Sequence, residues 1–198
     1  MSLFLEAAKV WNGLQNTTYR ITIGHKRTME QINLVFRQED FDHLSGIHYA
    51  ADVDFKLHRR QYRGKKLVPM LLSKKLDAKL IEKSEQWNKI SERLSALICL
   101  TEILESDFLI YKFEPNKLPF HSEIKAAYCI YDKSQEKGVF LFLDQSECCY
   151  YCKSIFKENI RDYCINQTPW TVLKKEKLVD ETVTVIYSNP SFKEPVAT

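Results

Sequence analysis

The apolar residues of this chain change their spacing part-way along it, and that change constrains the fold more than any single motif. In the front half they recur mainly at helical intervals. Phe4, Ala7, Ala8, Trp11 and Leu14 mark one face of a helix that Asn12-Gly13 brings to an end. Residues 67–80 read as a second helix, with Pro69 tolerated in its first turn. Ile90, Leu94, Leu97, Ile98, Thr101 and Leu104 form a longer stripe, which predicts a central helix running to Ser106. Between these, Tyr19-Arg20-Ile21-Thr22-Ile23 and Gln31-Ile32-Asn33-Leu34-Val35-Phe36 alternate as strands about a turn containing Gly24. Asp40-Phe41-Asp42-His43-Leu44-Ser45-Gly46 reads as a short capped helix that stops at glycine.

Beyond Ser106 the period shortens. Residues 108–113, 126–131, 139–143, 148–156, 170–178 and 182–187 are strand candidates, and Lys137-Gly138 sits where a hairpin turn is expected. The predicted class is therefore α+β, with N-terminal helices and short strands followed by an antiparallel β-sheet. A chain of 198 residues suits one domain, placed at residues 1–188, with 189–198 and its two prolines as a flexible tail. No stretch approaches the roughly 20 apolar residues of a membrane span, and Glu6 stands where a signal peptide would be basic. A cytoplasmic protein with no membrane partner is the expectation.

With 44% hydrophobic residues and only 5 glycines, the composition excludes disordered and collagen-like chains. The net charge of +3 hides a strong asymmetry. Residues 54–93 hold 12 basic and 5 acidic side chains, a net of +7 in one segment. Such a segment suits a polyanion, although a solvated helix face reads the same way. Cys148, Cys149 and Cys152 include a CxxC, but no second pair or histidine lies at zinc-ligand spacing. They read as structural thiols, with metal binding left open and no cofactor assigned. No GxGxxG, GxxxxGK[ST], HExxH or GxSxG occurs.

The best chemical constellation is Phe41-Asp42-His43-Leu44-Ser45-Gly46-Ile47-His48. Its two imidazoles are five residues apart, a poor spacing for joint metal ligation on a helix, but each can move a proton near neutral pH. A late strand, Trp170 to Leu178, alternates Lys174 and Glu176 against Lys175 and Lys177. A lysine there either stabilises a charged phosphate or guards a sheet edge.

The order of FDHLSGI, LTEILESDFLIYKF, AAYCIYD, VFLFLD, CKSIF and TPWTVLKKEKL over about residues 30–178 resembles the phage-associated barnase–EndoU–colicin–RelE-like nuclease domains. His43 and Gly46 match that family's HLxGL-type element, with Ile47 for its second leucine. Ser154 and Phe156 match the SFF-type element, with Ile155 for its first phenylalanine. Lys174, Lys175 and Glu176 match the late LKKEK-type element, and Tyr49 stands where relatives often carry a basic residue.

The resemblance implies a metal-independent ribonuclease of a phage or mobile element, in which the ribose 2′-hydroxyl attacks the adjacent phosphate. His43 would serve as base or acid, with His48 as its partner. Lys174 or Lys175 would stabilise the phosphorane, and Ser154 would position a phosphate oxygen. Lys56, Arg59, Arg60, Arg63, Lys65 and Lys66 would engage the RNA backbone, tRNA being one such substrate, and Tyr62 would stack on a base. A toxin held by an antitoxin or meeting a host protein fits the same reading. The rival readings are a non-catalytic nucleic-acid-binding domain and a protein-interaction module with an anti-defence or regulatory role.

Overall fold

The computed structural model describes residues 2–53, 63–134 and 136–193. Lys56, Arg59, Arg60 and Tyr62 lie outside the described residues. The chain opens with helix α1 (Leu3–Gly13), whose Phe4, Ala7, Ala8 and Trp11 are buried, as their spacing predicts. Strands β1 (Thr17–His25) and β2 (Thr28–Val35) form a hairpin that turns at Lys26-Arg27, with Lys26 in the left-handed region. Helix α2 (Asp40–Leu44) follows.

Two helical expectations need correction. The helix foreseen over 67–80 stops early: α3 spans Leu67–Leu72, and Lys74 then adopts a positive φ that ends it. A separate 3-10 turn begins at Ala78, capped by the Asp77 carboxylate, which accepts from the Lys79 amide. The long central helix is two helices, α4 (Trp87–Ile98) and α5 (Leu100–Glu105), broken at Cys99. Ile90, Leu94 and Leu97 before the break and Leu100, Ile103 and Leu104 after it are all buried. The apolar stripe thus survives although the helix axis does not.

Strands β3 (Leu109–Lys112), β4 (Tyr128–Asp132), β5 (Val139–Gln145), β6 (Tyr150–Lys157), β7 (Thr168–Val179) and β8 (Thr182–Ser188) complete the sheet. The sequence predicts an antiparallel β-sheet, and the strands go further and close on themselves. In the order β1-β2-β6-β5-β4-β3-β7, with β7 pairing back to β1, seven of them form a barrel, and β8 extends β7 outside it. Most neighbours are antiparallel, but β2 and β6 run parallel through two register pairs, Leu34 with Tyr150 and Val35 with Tyr151. Closure is possible because β7 is long. On one edge it pairs with β1, while its other edge serves β3 through Thr168–Trp170 and β8 from Lys174 onward.

The continuous apolar run of β5 follows from this geometry. Val139, Leu141 and Leu143 enter the main core with the helices, whereas Phe140 and Phe142 point the other way into a second cluster with Phe113, Leu118 and Tyr163. A strand buried on both faces loses the alternation of a half-buried one. No helix among the described residues is long and apolar enough to cross a membrane.

Candidate active site

Phe41 anchors α2. It is fully buried edge-on to Phe4 and against Trp11, whose indole donates to the Arg37 carbonyl. With Phe41 and Leu44 turned into the core, His43 is left exposed at the surface. The chain reverses at Gly46, which has a φ of 73°, and a 3-10 turn from Ile47 to Tyr49 carries His48 back over His43. The imidazoles stack with ring centroids 5.2 Å apart and planes 5° from parallel. Five-residue spacing fails on a straight helix, and the glycine reversal is what makes it succeed here.

Tyr49 packs on His48 at 4.1 Å, and the Arg93 guanidinium from α4 lies 5.5 Å from the Tyr49 ring. Arg93 Nη1 is buried and has no hydrogen-bond partner among the described residues. Burial first, then the Arg93 and Lys153 charges, pull the His43 pKa below its ordinary 6.5, against opposing pulls from Asp42 and Asp40. His48 is lowered as well, by burial, then by His43 and Arg93. Both rings are therefore neutral at pH 7.

Gly46 has two reasons to be glycine: its positive φ, and a Cβ at this position would stand 2.8 Å from Arg93 Cδ. Gly46→Ala is expected to cost about 1–2 kcal/mol from the left-handed backbone alone. A lowered urea midpoint with unchanged slope would show it.

His43 opens onto a cavity of about 340 Å³ that it shares with Arg37, Asp40, Tyr151, Cys152 and Lys153. Arg37 holds Asp40 through two hydrogen bonds, Nε to Oδ2 at 2.9 Å and Nη2 to Oδ1 at 3.0 Å. Its guanidinium also lies 3.9 Å over the Tyr151 ring. Lys153 Nζ is 3.3 Å from Asp144 Oδ2, which also accepts from the Tyr151 hydroxyl at 3.1 Å. Burial alone would lower the Lys153 pKa, but Asp144 and Tyr151 outweigh it and keep the ammonium charged. Sequence reasoning did not single out Arg37, Arg93 or Lys153; they are far apart in the sequence, and only the fold gathers them around His43.

The basic segment touches this site at its end. Asp42 accepts from Arg63 Nε at 3.0 Å and from the Gly64 amide at 3.0 Å, and Lys65 and Lys66 follow, exposed. Ser154 is buried in β6 opposite Phe142. Lys174 lines a different cavity, between β1, β2 and β7, in which it pairs with Glu176 at 2.8 Å. Lys175 is 3% exposed, with its ammonium on the Ser106 carbonyl and 4.6 Å from the Phe108 ring. These contacts tie β7 to the end of α5.

Cys148 is exposed, Cys149 half-buried beside Ser146, and Cys152 buried against the His43 cavity. No three His, Cys, Asp or Glu side chains among the described residues come together as a metal-binding group. No curated protein and no solved structure matches the chain. A protein-family model does, over residues 3–189, nearly the full length. By that match, the chain that stacks His43 on His48 inside this barrel belongs to the phage-Barnase-EndoU-ColicinE5/D-RelE like nuclease4 family.

Proposed function

We propose that this protein cleaves RNA by transphosphorylation at the His43 cavity, with no metal ion in the reaction. The observation that carries the reading is the stacked His43–His48 pair, held neutral beside a buried arginine nitrogen that lacks an acceptor. Neutral His43 takes the proton of the ribose 2′-hydroxyl, whose oxygen bonds to phosphorus. Arg37 and Lys153 meet the charge that develops on the phosphorane. The bond to the 5′-oxygen breaks, Lys153 supplies the proton to that oxygen, and a 2′,3′-cyclic phosphate remains. His48 stacks on the imidazolium and keeps its plane. Arg93 donates to a neighbouring phosphate, and Arg63, Lys65 and Lys66 continue the cationic track.

The test is cleavage of total RNA in EDTA, with end analysis and a parallel substrate lacking 2′-hydroxyls. Cyclic-phosphate ends from RNA and no cut in the deoxy substrate are expected. Retention of RNA that falls steeply with salt, without any cleavage, would overturn the reading in favour of a binding domain.

The lowered imidazole pKa gives the sign of the pH dependence. Only neutral His43 accepts a proton, so kcat/KM should rise with pH through a midpoint below 6.5 and then level off. The same shift acts on stability. The unfolded chain takes up these protons first, so stability is full above pH 6.5 and is lost as pH falls toward the lowered folded-state values.

A further inference from the structure

The second cavity, which the scheme above leaves unused, has about 430 Å³ and is lined by Arg20, Thr22, Met29, Gln31, Lys174 and Glu176, together with Phe192 and Glu30, whose carboxylate accepts from the Tyr128 hydroxyl. Its chemistry is unlike that of the His43 cavity. Glu176 is 8% exposed and sits between two cations, Lys174 Nζ at 2.8 Å from Oε1 and Arg20 Nη1 at 3.5 Å from Oε2. A carboxylate offers about four lone-pair sites, so each oxygen can still accept once more. Arg20 Nε is buried and has no acceptor among the described residues, a costly state for a donor. Met29, 47% exposed, and Phe192 supply apolar surface at the opening.

We infer that this cavity is a base-recognition subsite selective for guanine in the RNA strand that the His43 cavity cleaves, an inference that rests on the ribonuclease reading. A carboxylate with two free acceptor positions calls for two adjacent N–H donors, and the neighbouring cations call for an acceptor beside them. Guanine alone among the four RNA bases presents its N1–H and N2–H2 donors next to the O6 acceptor. Adenine and cytosine place a ring acceptor against the carboxylate, and uracil has a single donor between two acceptors. Met29 and Phe192 would cover the ring face.

The register supports one strand reaching both cavities. Val35 pairs with Tyr151, at the His43 cavity, and Gln31, at the second cavity, lies four residues back along β2 on the same face. The separation along the strand is about 13 Å, a few nucleotides of single-stranded RNA.

Calorimetric titration with guanosine, adenosine, cytidine and uridine 5′-monophosphates tests the subsite whether or not the protein cuts RNA. Wild type should bind the guanosine nucleotide about tenfold more tightly than the others. His43→Ala, in the other cavity, should keep that preference, and Glu176→Gln should lose it. Because Glu176 is buried between charges, Met29→Glu provides the second variant; it alters only an exposed residue at the opening and should weaken guanosine nucleotide binding about tenfold. Equal binding of the four nucleotides by the wild type, or guanosine nucleotide binding unchanged in Met29→Glu, would overturn the inference. Loss of cleavage with the guanosine preference intact would overturn the ribonuclease reading alone.

Discussion

His43→Gln is expected to lower the rate of RNA cleavage by two to four orders of magnitude, the usual worth of a positioned general base. Glutamine keeps much of the size and polarity of the ring but takes no proton near neutral pH. The residual rate should lose its rise with pH below 6.5, because the titrating group responsible for that limb is gone. The thermal melt should shift little, since His43 is exposed and α2 is held by Phe41 and Leu44. Quantifying cyclic-phosphate ends at several pH values checks rate and profile together. An unchanged rate would remove His43 from the chemistry.

Trp11→Ala is expected to act the other way, through the fold. Trp11 is 1% exposed, meets Phe36 edge-on at 5.6 Å and Phe41 at 6.1 Å, and donates to the Arg37 carbonyl. Deleting so large a buried ring should cost about 3–5 kcal/mol, measured by urea denaturation. Phe36, Arg37 and Phe41 flank the stretch that presents Asp40 and His43, so cleavage should fall in the protein that remains folded. A destabilisation under about 1 kcal/mol would mean that the core collapses into the vacated space.

Element identity was largely legible in the sequence because burial is periodic. Phe4 to Trp11 announced α1, and Val139 to Leu143 announced a strand. What periodicity could not reveal was closure. Whether β7 pairs back to β1 depends on its length and on which edge each neighbour takes, and neither is written in the alternation of Lys174 to Lys177. Continuous apolar spacing likewise concealed the break at Cys99, since both halves of the stripe face the core.

The site was half legible. His43 and His48 stood out as titratable groups around a glycine, and Gly46 proved to be the reversal that stacks them. The cations were harder to foresee. Arg37, Arg93 and Lys153 come from the loop after β2, from α4 and from β6, so their convergence is a property of the barrel and the helices on it. The +7 charge of residues 54–93 includes Arg93, but the basic cluster of that stretch, residues 56–66, drew the attention instead, and of it Arg63 is bound to Asp42.

The two register pairs that join β2 to β6 give the barrel the character of a clasp bracelet. Every other joint is a longer ladder, so the ring yields most readily at this fastening, and Tyr151 beside it forms a wall of the His43 cavity. Arg37, lying over Tyr151, works as the pin. One guanidinium–ring contact and two rungs of backbone are thus what hold this wall of the cavity in place.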